Sequence, residues 1–262
     1  MTDILETIIA HKRKEVEEAK KLTDIATLEL RCLDAAPTRS MKKALAASAT
    51  GIIAEFKRRS PSKGDIHAGA DAALIPPAYE KAGASALSIL TDSRFFGGSA
   101  NDIVKARPLV GLPILRKEFV IDEYQLYEAC ALGADAVLLI ASALTVAECR
   151  DLTSKTHSLG MEVLLEIHSE EELKYVDCGA DMVGVNNRHL GTFVTDVATS
   201  FALAELLPED VLRVSESGLS SPQTVRELRT AGYRGFLMGE HFMRSASPAD
   251  ALQCFISQLL TP

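Results

Sequence analysis

The chain has 262 residues, of which 47% are hydrophobic and 24% charged, and carries a formal net charge of −8. That length admits one large α/β barrel or two ordinary domains, and the composition is that of a soluble globular protein with a sizeable core. The acidic balance argues against nucleic acid or an anionic membrane as a general partner, while leaving room for a small anionic substrate met by local basic residues.

In chain order, residues 2–21 predict a helix. Ile4 with Ile8 and Leu5 with Ile9 make an apolar stripe, and the opposite face is rich in Lys and Glu. This segment lacks the order of a signal peptide. The longest apolar run, residues 136–147, is too short to span a bilayer, so the expected compartment is the cytoplasm. A second helical piece around residues 40–47 leads to Gly51. The first fifty residues therefore read as a helical extension of one domain spanning 1–262, with the barrel proper in 51–262. Cys32, Cys130, Cys149, Cys178 and Cys254 are scattered and form no CxxC pair, so they read as small core residues in a reducing compartment. His168 lies two residues after Glu166, but with no HExxH and no second histidine nearby, no metal is expected.

From Gly51 a repeat emerges in grammar rather than in letters. Gly51, Gly83, Gly111, Gly133, Gly160, Gly179 and Gly232 each precede a short apolar run. The runs are IIAEF (52–56), ALSIL (86–90), PILRKEF (113–119), AVLLI (136–140), EVLLEI (162–167), MVGVN (182–186), LRVSE (212–216) and GFLMG (235–239). Their density in Val, Ile and Leu suits strands buried on both faces. Between them, Thr145-x-x-Glu148 and Ser169-x-x-Glu172 read as capping boxes. Ser221-Pro222 and Ser247-Pro248 set a cap residue before a proline at the first helical position. Eight strand–helix alternations in this length predict a (β/α)8 TIM barrel. The alternative, a doubly wound open sheet, would carry GxGxxG after its first strand, and none occurs.

The polar residues collect where such a barrel does chemistry, at the C-terminal strand ends. The first strand closes with Glu55 and Lys57, which share a face, followed by the basic loop Arg58–Gly64 containing Ser60. Lys117 belongs to the third strand and Glu166 to the fifth. The sixth ends with Asn186, then Arg188, and the seventh with Ser215 and Ser217. A single polar residue beginning a loop is unremarkable; acid, base, amide and hydroxyl groups from five strands at one mouth indicate a site. Gly218, Gly239 and Glu240 stand after strands seven and eight, where loops commonly hold phosphate through backbone N–H groups. The residues thus predict a barrel enzyme acting on a phosphorylated small molecule by lysine/glutamate acid–base chemistry.

These segments resemble indole-3-glycerol phosphate synthases. The match runs through AEFKRRSPSKG (54–64), SILTDSRFFGGS (88–99), PILRKEFVIDEYQLYEA (113–129), LLEIHSEEEL (164–173), VGVNNRHLGTF (183–193), VSESGL (214–219) and FLMGEHFMR (236–244), in order and over almost the whole chain. The resemblance implies closure of 1-(o-carboxyphenylamino)-1-deoxyribulose 5-phosphate to indole-3-glycerol phosphate with loss of carbon dioxide and water, a step of tryptophan biosynthesis that needs no cofactor. It implies Lys117 as the general acid, Glu166 as its partner acid/base, and Lys57 as an assisting group. Glu55 and Asn186 would orient these lysines and the sugar hydroxyls. Ser60, Phe96, Leu138, Arg188 and Ser217 would line the substrate pocket. The phosphate would lie on the backbone of Gly218, Gly239 and Glu240, near Lys57 and Ser60. The protein is expected to act as a monomer or weak dimer, without nucleic acid or membrane partners. Two positions depart from the family pattern: His189, where an acidic or amide residue is frequent, and TDSRFF, a variant of TExxxF.

Other readings stay open at this point. A Schiff-base aldolase would use Lys117 as a nucleophile trapped by borohydride. A non-catalytic barrel would bind a phosphate ester without turnover. A phosphoribosylanthranilate isomerase would share the phosphate geometry but not the N-terminal extension or the set Glu55, Lys57 and Lys117.

Overall fold

The eight apolar runs become eight parallel strands that pair in chain order and close into a barrel. They are β1 (Ile52–Phe56), β2 (Ala86–Leu90), β3 (Ile114–Lys117), β4 (Ala136–Ile140), β5 (Glu162–Ile167), β6 (Met182–Asn186), β7 (Leu212–Glu216) and β8 (Tyr233–Met238). β1 closes the circle by pairing with both β2 and β8. The computed structural model describes residues 4–189, 191 and 193–261. Because side chains alternate across a strand, each strand feeds two cores. Ile53, Leu115, Leu138, Leu164 and Val214 fill the barrel interior, while Ile52, Ala54, Val137, Val163 and Val183 pack outward against the helices. This explains why the runs are apolar without alternation.

Three helices precede β1: α1 (Ile4–Leu22), α2 (Ile25–Leu33) and α3 (Met41–Ala47). The expected start of α1 at Thr2 lies outside the described residues. α2 was not legible as an element. Asp24 starts it by accepting from the Thr27 N–H at 2.8 Å, and it packs on the helix Tyr124–Leu132. α3 sends Met41 and Leu45, both fully buried, into the inner core near the start of β8 and so plugs the barrel floor.

Several local expectations need adjustment. Thr145 and Glu148 form a reciprocal capping box, but Ser169 and Glu172 do not. The carboxylate of Glu172 reaches back to the His168 N–H at 2.6 Å instead, and residues Glu170–Cys178 wind as a 3-10 helix. Ser221 and Ser247 do sit before an N-terminal proline, yet neither side chain makes a cap bond. β3 ends at Lys117 rather than at residue 119. Glu118 turns the chain there by accepting from the Thr91 hydroxyl at 2.7 Å and the Phe119 N–H at 2.9 Å. Gly133 ends the helix before β4 in the left-handed region, φ 83°, which its missing Cβ permits. Cys130, Cys149 and Cys178 are buried as expected, whereas Cys254 is exposed on the last helix. Among the described residues, no helix is long and apolar enough to cross a membrane.

Candidate active site

Four alternate strands each end in a buried or nearly buried charged residue: Glu55 on β1, Lys117 on β3, Glu166 on β5 and Glu216 on β7. In a parallel barrel, alternate strands point side chains into a common layer, so these four groups must meet at the C-terminal mouth. Lys117 Nζ stands 2.9 Å from Glu166 Oε2 and 3.7 Å from Glu216 Oε2. Lys57, just beyond β1, pairs with the Glu55 carboxylate. The carbonyl of the Asn186 side chain accepts the Arg188 N–H at 3.0 Å. The Arg188 guanidinium then reaches Ser62 Oγ at 3.2 Å, Thr195 Oγ1 at 3.3 Å and Glu240 Oε2 at 3.3 Å.

These groups open onto a cavity of about 690 Å³. Glu55, Lys57, Lys117, Glu166, Asn186 and Arg188 line it, as do Ser217, Gly218, Gly239 and Glu240. Its apolar wall is built by Phe96, Leu90, Leu138 and Ile140, with the Phe119 ring tilted against that of Phe96, centroids 5.9 Å apart. Ser60 is the exception. It is buried in a small hairpin, Arg59–Ser60 against Gly64–Asp65, and does not line the cavity, whereas Ser62 and Lys63 from the same loop do.

α1 roofs the cavity. Its inward face is Leu5, Ile8, Lys12 and Val16, and Ile4, Leu5 and Ile8 line the cavity directly. Lys12 is the anchor. Its ammonium lies 3.0 Å from Asp92, 3.0 Å from Glu118 and 2.6 Å from Glu15. Asp92, the acidic residue of the TDSRFF variant, also caps the short helix Ser93–Phe96, accepting from the N–H groups of Phe95 and Phe96. One carboxylate thus ties the roof to the aromatic wall. His189, the second departure from the family pattern, bonds within its own loop, its N–H donating to the Val194 carbonyl at 2.9 Å.

The electrostatics follow from burial and proximity. Burial opposes charge on Lys117, but Glu166, Glu216 and Glu55 outweigh it and hold the amine above its ordinary range, so it is an ammonium at neutral pH. Burial also opposes ionisation of Glu166, yet Lys117 and His168 hold its carboxyl well below the usual range. Glu216 goes the other way. Burial, then repulsion from the ionised Glu166, pushes it up to about 8. Two carboxyl groups beside one ammonium are therefore driven into different protonation states, the pattern expected where acid and base roles are divided.

The backbone completes the mouth. Ser217 is left-handed, φ 66°, a conformation that costs a non-glycine residue energy and is retained where the surroundings enforce it. Gly218 follows at φ 73°, so the chain folds back toward the cavity immediately after β7. At Gly239 a Cβ would overlap the Glu55 carboxylate, so glycine there lets the chain leave β8 tightly against the acid.

Sequence reading missed Glu216 and the roof. Glu216 carries the same signal as Glu55 and Glu166, a carboxylate closing an apolar strand, but it stands between two serines whose hydroxyls make it one polar residue among several. The apolar stripe of α1 was visible, whereas the surface it covers was not.

The family profile described as indole-3-glycerol phosphate synthase matches residues 5–255. The indole-3-glycerol phosphate synthase of Bacteroides thetaiotaomicron is 58% identical over 259 residues, covering 99% of this chain and all of the relative. That of Acidithiobacillus ferrooxidans is 42% identical over 258 residues, covering 97% and 98%. Among solved structures, 3-hexulose-6-phosphate synthase from Salmonella typhimurium superposes with a TM-score of 0.60 at 14% identity, over 80% of this chain and 99% of that one. KGPDC from Streptococcus mutans gives 0.62, also at 14%, over 81% and 98%. At that identity these two speak to the barrel alone, and the curated relatives carry the narrower conclusion: this chain belongs to the indole-3-glycerol phosphate synthase family.

Proposed function

We propose that the chain closes 1-(o-carboxyphenylamino)-1-deoxyribulose 5-phosphate to indole-3-glycerol phosphate, with Lys117 as general acid and Glu166 as its partner acid/base. The observation that carries this reading is the Lys117 ammonium, 2.9 Å from one buried carboxylate and 3.7 Å from another, in a cavity with an apolar wall. The carboxyphenyl ring packs against Phe96, Leu90 and Leu138, beneath Ile4, Leu5 and Ile8. Held there, its electron-rich carbon faces the ketone of the same molecule, so this intramolecular attack starts from a near-attack conformer. Lys117 gives a proton to the oxygen of that ketone as negative charge develops on it, then carbon dioxide departs and restores the ring. Loss of water needs one group to accept a proton and another to donate one. Glu166 takes the first part, and Lys57, fixed by Glu55, assists at the leaving hydroxyl. Glu216, largely protonated at neutral pH, supplies a donor for a substrate oxygen.

The phosphate fits the opposite side of the mouth, against the backbone N–H groups of Gly218, Gly239 and Glu240. Arg188 and Lys63 supply cationic charge on the lining nearby. Ser60 is buried behind that lining and on this reading supports the loop rather than the ligand. On the same reading the enzyme acts as a monomer or weak dimer in the cytoplasm.

The test is indole fluorescence on adding the carboxyphenylamino-deoxyribulose phosphate. The chain has no tryptophan, so new indole emission reports product. We expect a rising signal that Lys117→Ala lowers by about a thousandfold or more while circular dichroism stays unchanged. A folded wild-type protein giving no signal overturns the reading, and a lysine adduct trapped by borohydride redirects it to Schiff-base chemistry.

A further inference from the structure

Behind Glu166, on the side away from the cavity, stands a charged pair that the acid–base reading does not use. The two oxygens of Glu166 face different groups. Oε2 meets Lys117 at 2.9 Å, and Oε1 meets His168 Nε2 at 3.3 Å. The other ring nitrogen of His168 lies 3.4 Å from Glu172 Oε2, and that same oxygen accepts the His168 backbone N–H at 2.6 Å. Side-chain exposure falls from 16% at Glu172 to 11% at His168 and 2% at Glu166. Glu166 lines the cavity, while His168 and Glu172 do not.

We propose that His168, oriented by Glu172, is a positioning residue for Glu166: it holds the carboxylate's rear oxygen so that the front oxygen stays on Lys117. The inference rests on the acid/base reading of Glu166. A carboxylate held at one oxygen turns freely about its terminal torsion, which is broad and only two-fold. Ion pairing at both oxygens restricts that freedom, and a misplacement of about 1 Å at a reacting group costs on the order of a hundredfold in rate. Charge balance points the same way. Burial disfavours a cationic His168, yet the carboxylates of Glu166 and Glu172 push its pKa up to about 9, so it is an imidazolium at neutral pH. With Glu216 protonated, Lys117 and His168 then neutralise Glu166 and Glu172 group for group. Removing the imidazolium leaves a buried negative charge that Lys117 alone must hold, drawing the ammonium away from the substrate. A structural alternative exists, since the same contacts tie down the turn after β5, and the two roles make different demands on a double-mutant cycle.

The experiment measures kcat and KM by indole fluorescence for wild type, His168→Gln, Glu166→Gln and the double variant. In the wild-type background, His168→Gln should lower kcat by about tenfold with KM changed less than about twofold. In the Glu166→Gln background it should lower kcat by less than about twofold, because there is no carboxylate left to position. Equal losses in both backgrounds, or no loss in the wild type, overturn the proposal. Glu172→Gln keeps a carbonyl for the His168 backbone N–H and leaves the buried site untouched. It should lower kcat by about threefold, again only where Glu166 is present, and it decides the matter if His168→Gln fails to fold; a loss independent of Glu166 overturns the proposal. Near-normal turnover of Glu166→Gln itself is a separate outcome, which removes the acid/base reading and the role of His168 with it.

Discussion

Glu216→Gln tests the electrostatic account of the site through stability rather than rate. Glu216 is buried beside an ionised carboxylate, and its pKa rises from an ordinary 4.5 to about 8 in the folded chain. Because the folded value is the higher one, the folded protein binds this proton more tightly than the unfolded chain does. The wild type therefore loses stability as pH climbs from about 4.5 through about 8, and below 4.5 the group contributes nothing, being protonated in both states. At about 1.4 kcal/mol per pH unit, the full displacement corresponds to at most about 5 kcal/mol. Glutamine has nearly the same shape and cannot ionise, so Glu216→Gln abolishes the pH-dependent part. The assay is thermal unfolding of both proteins from pH 5 to pH 8.5. The variant should lie close to the wild type near pH 5 and exceed it in Tm by up to about 10–20 °C at pH 8.5, given the usual scaling for a chain of this size. A constant offset across the range, or a variant less stable at pH 8.5, would show that Glu216 is ionised in the folded protein and would refute the division of charge between it and Glu166.

Two further substitutions probe the frame around these groups. Gly239→Ala places a methyl on the Glu55 carboxylate and must displace it together with Lys57; kcat should fall by about tenfold or more with secondary structure retained, and unchanged kinetics would show that Glu55 is free to move. Lys12→Met leaves Asp92 and Glu118 buried without their shared cation, which should cost about 3–5 kcal/mol in urea unfolding. A second change, Glu118→Gln, should recover part of that loss, and a cost below about 1 kcal/mol would mean that the roof is held by apolar contacts alone.

The amino-acid sequence determined the barrel nearly unaided. Eight runs of β-branched and aliphatic residues, separated by helix caps and stop glycines, leave little choice but strands buried on both faces, because these signals act between residues a few positions apart. It also determined that the chemistry lies at the strand ends, since Glu55, Lys117 and Glu166 break apolar runs where a charge is costly without a purpose. Short-range competition was harder to read. Glu172 satisfies His168 rather than Ser169, a choice between neighbouring backbone groups that the capping pattern does not distinguish. What only the tertiary structure decided is which groups are near which. Lys117 and Glu166 stand 49 residues apart in the chain, yet their contact and the burial around it set the charge of both and of Glu216. The same holds for Lys12, whose lysine-rich surroundings read as a solvated helix face until Asp92 and Glu118 are brought against it. Burial and through-space charge are properties of the assembled barrel, and no pattern local to the chain encodes them.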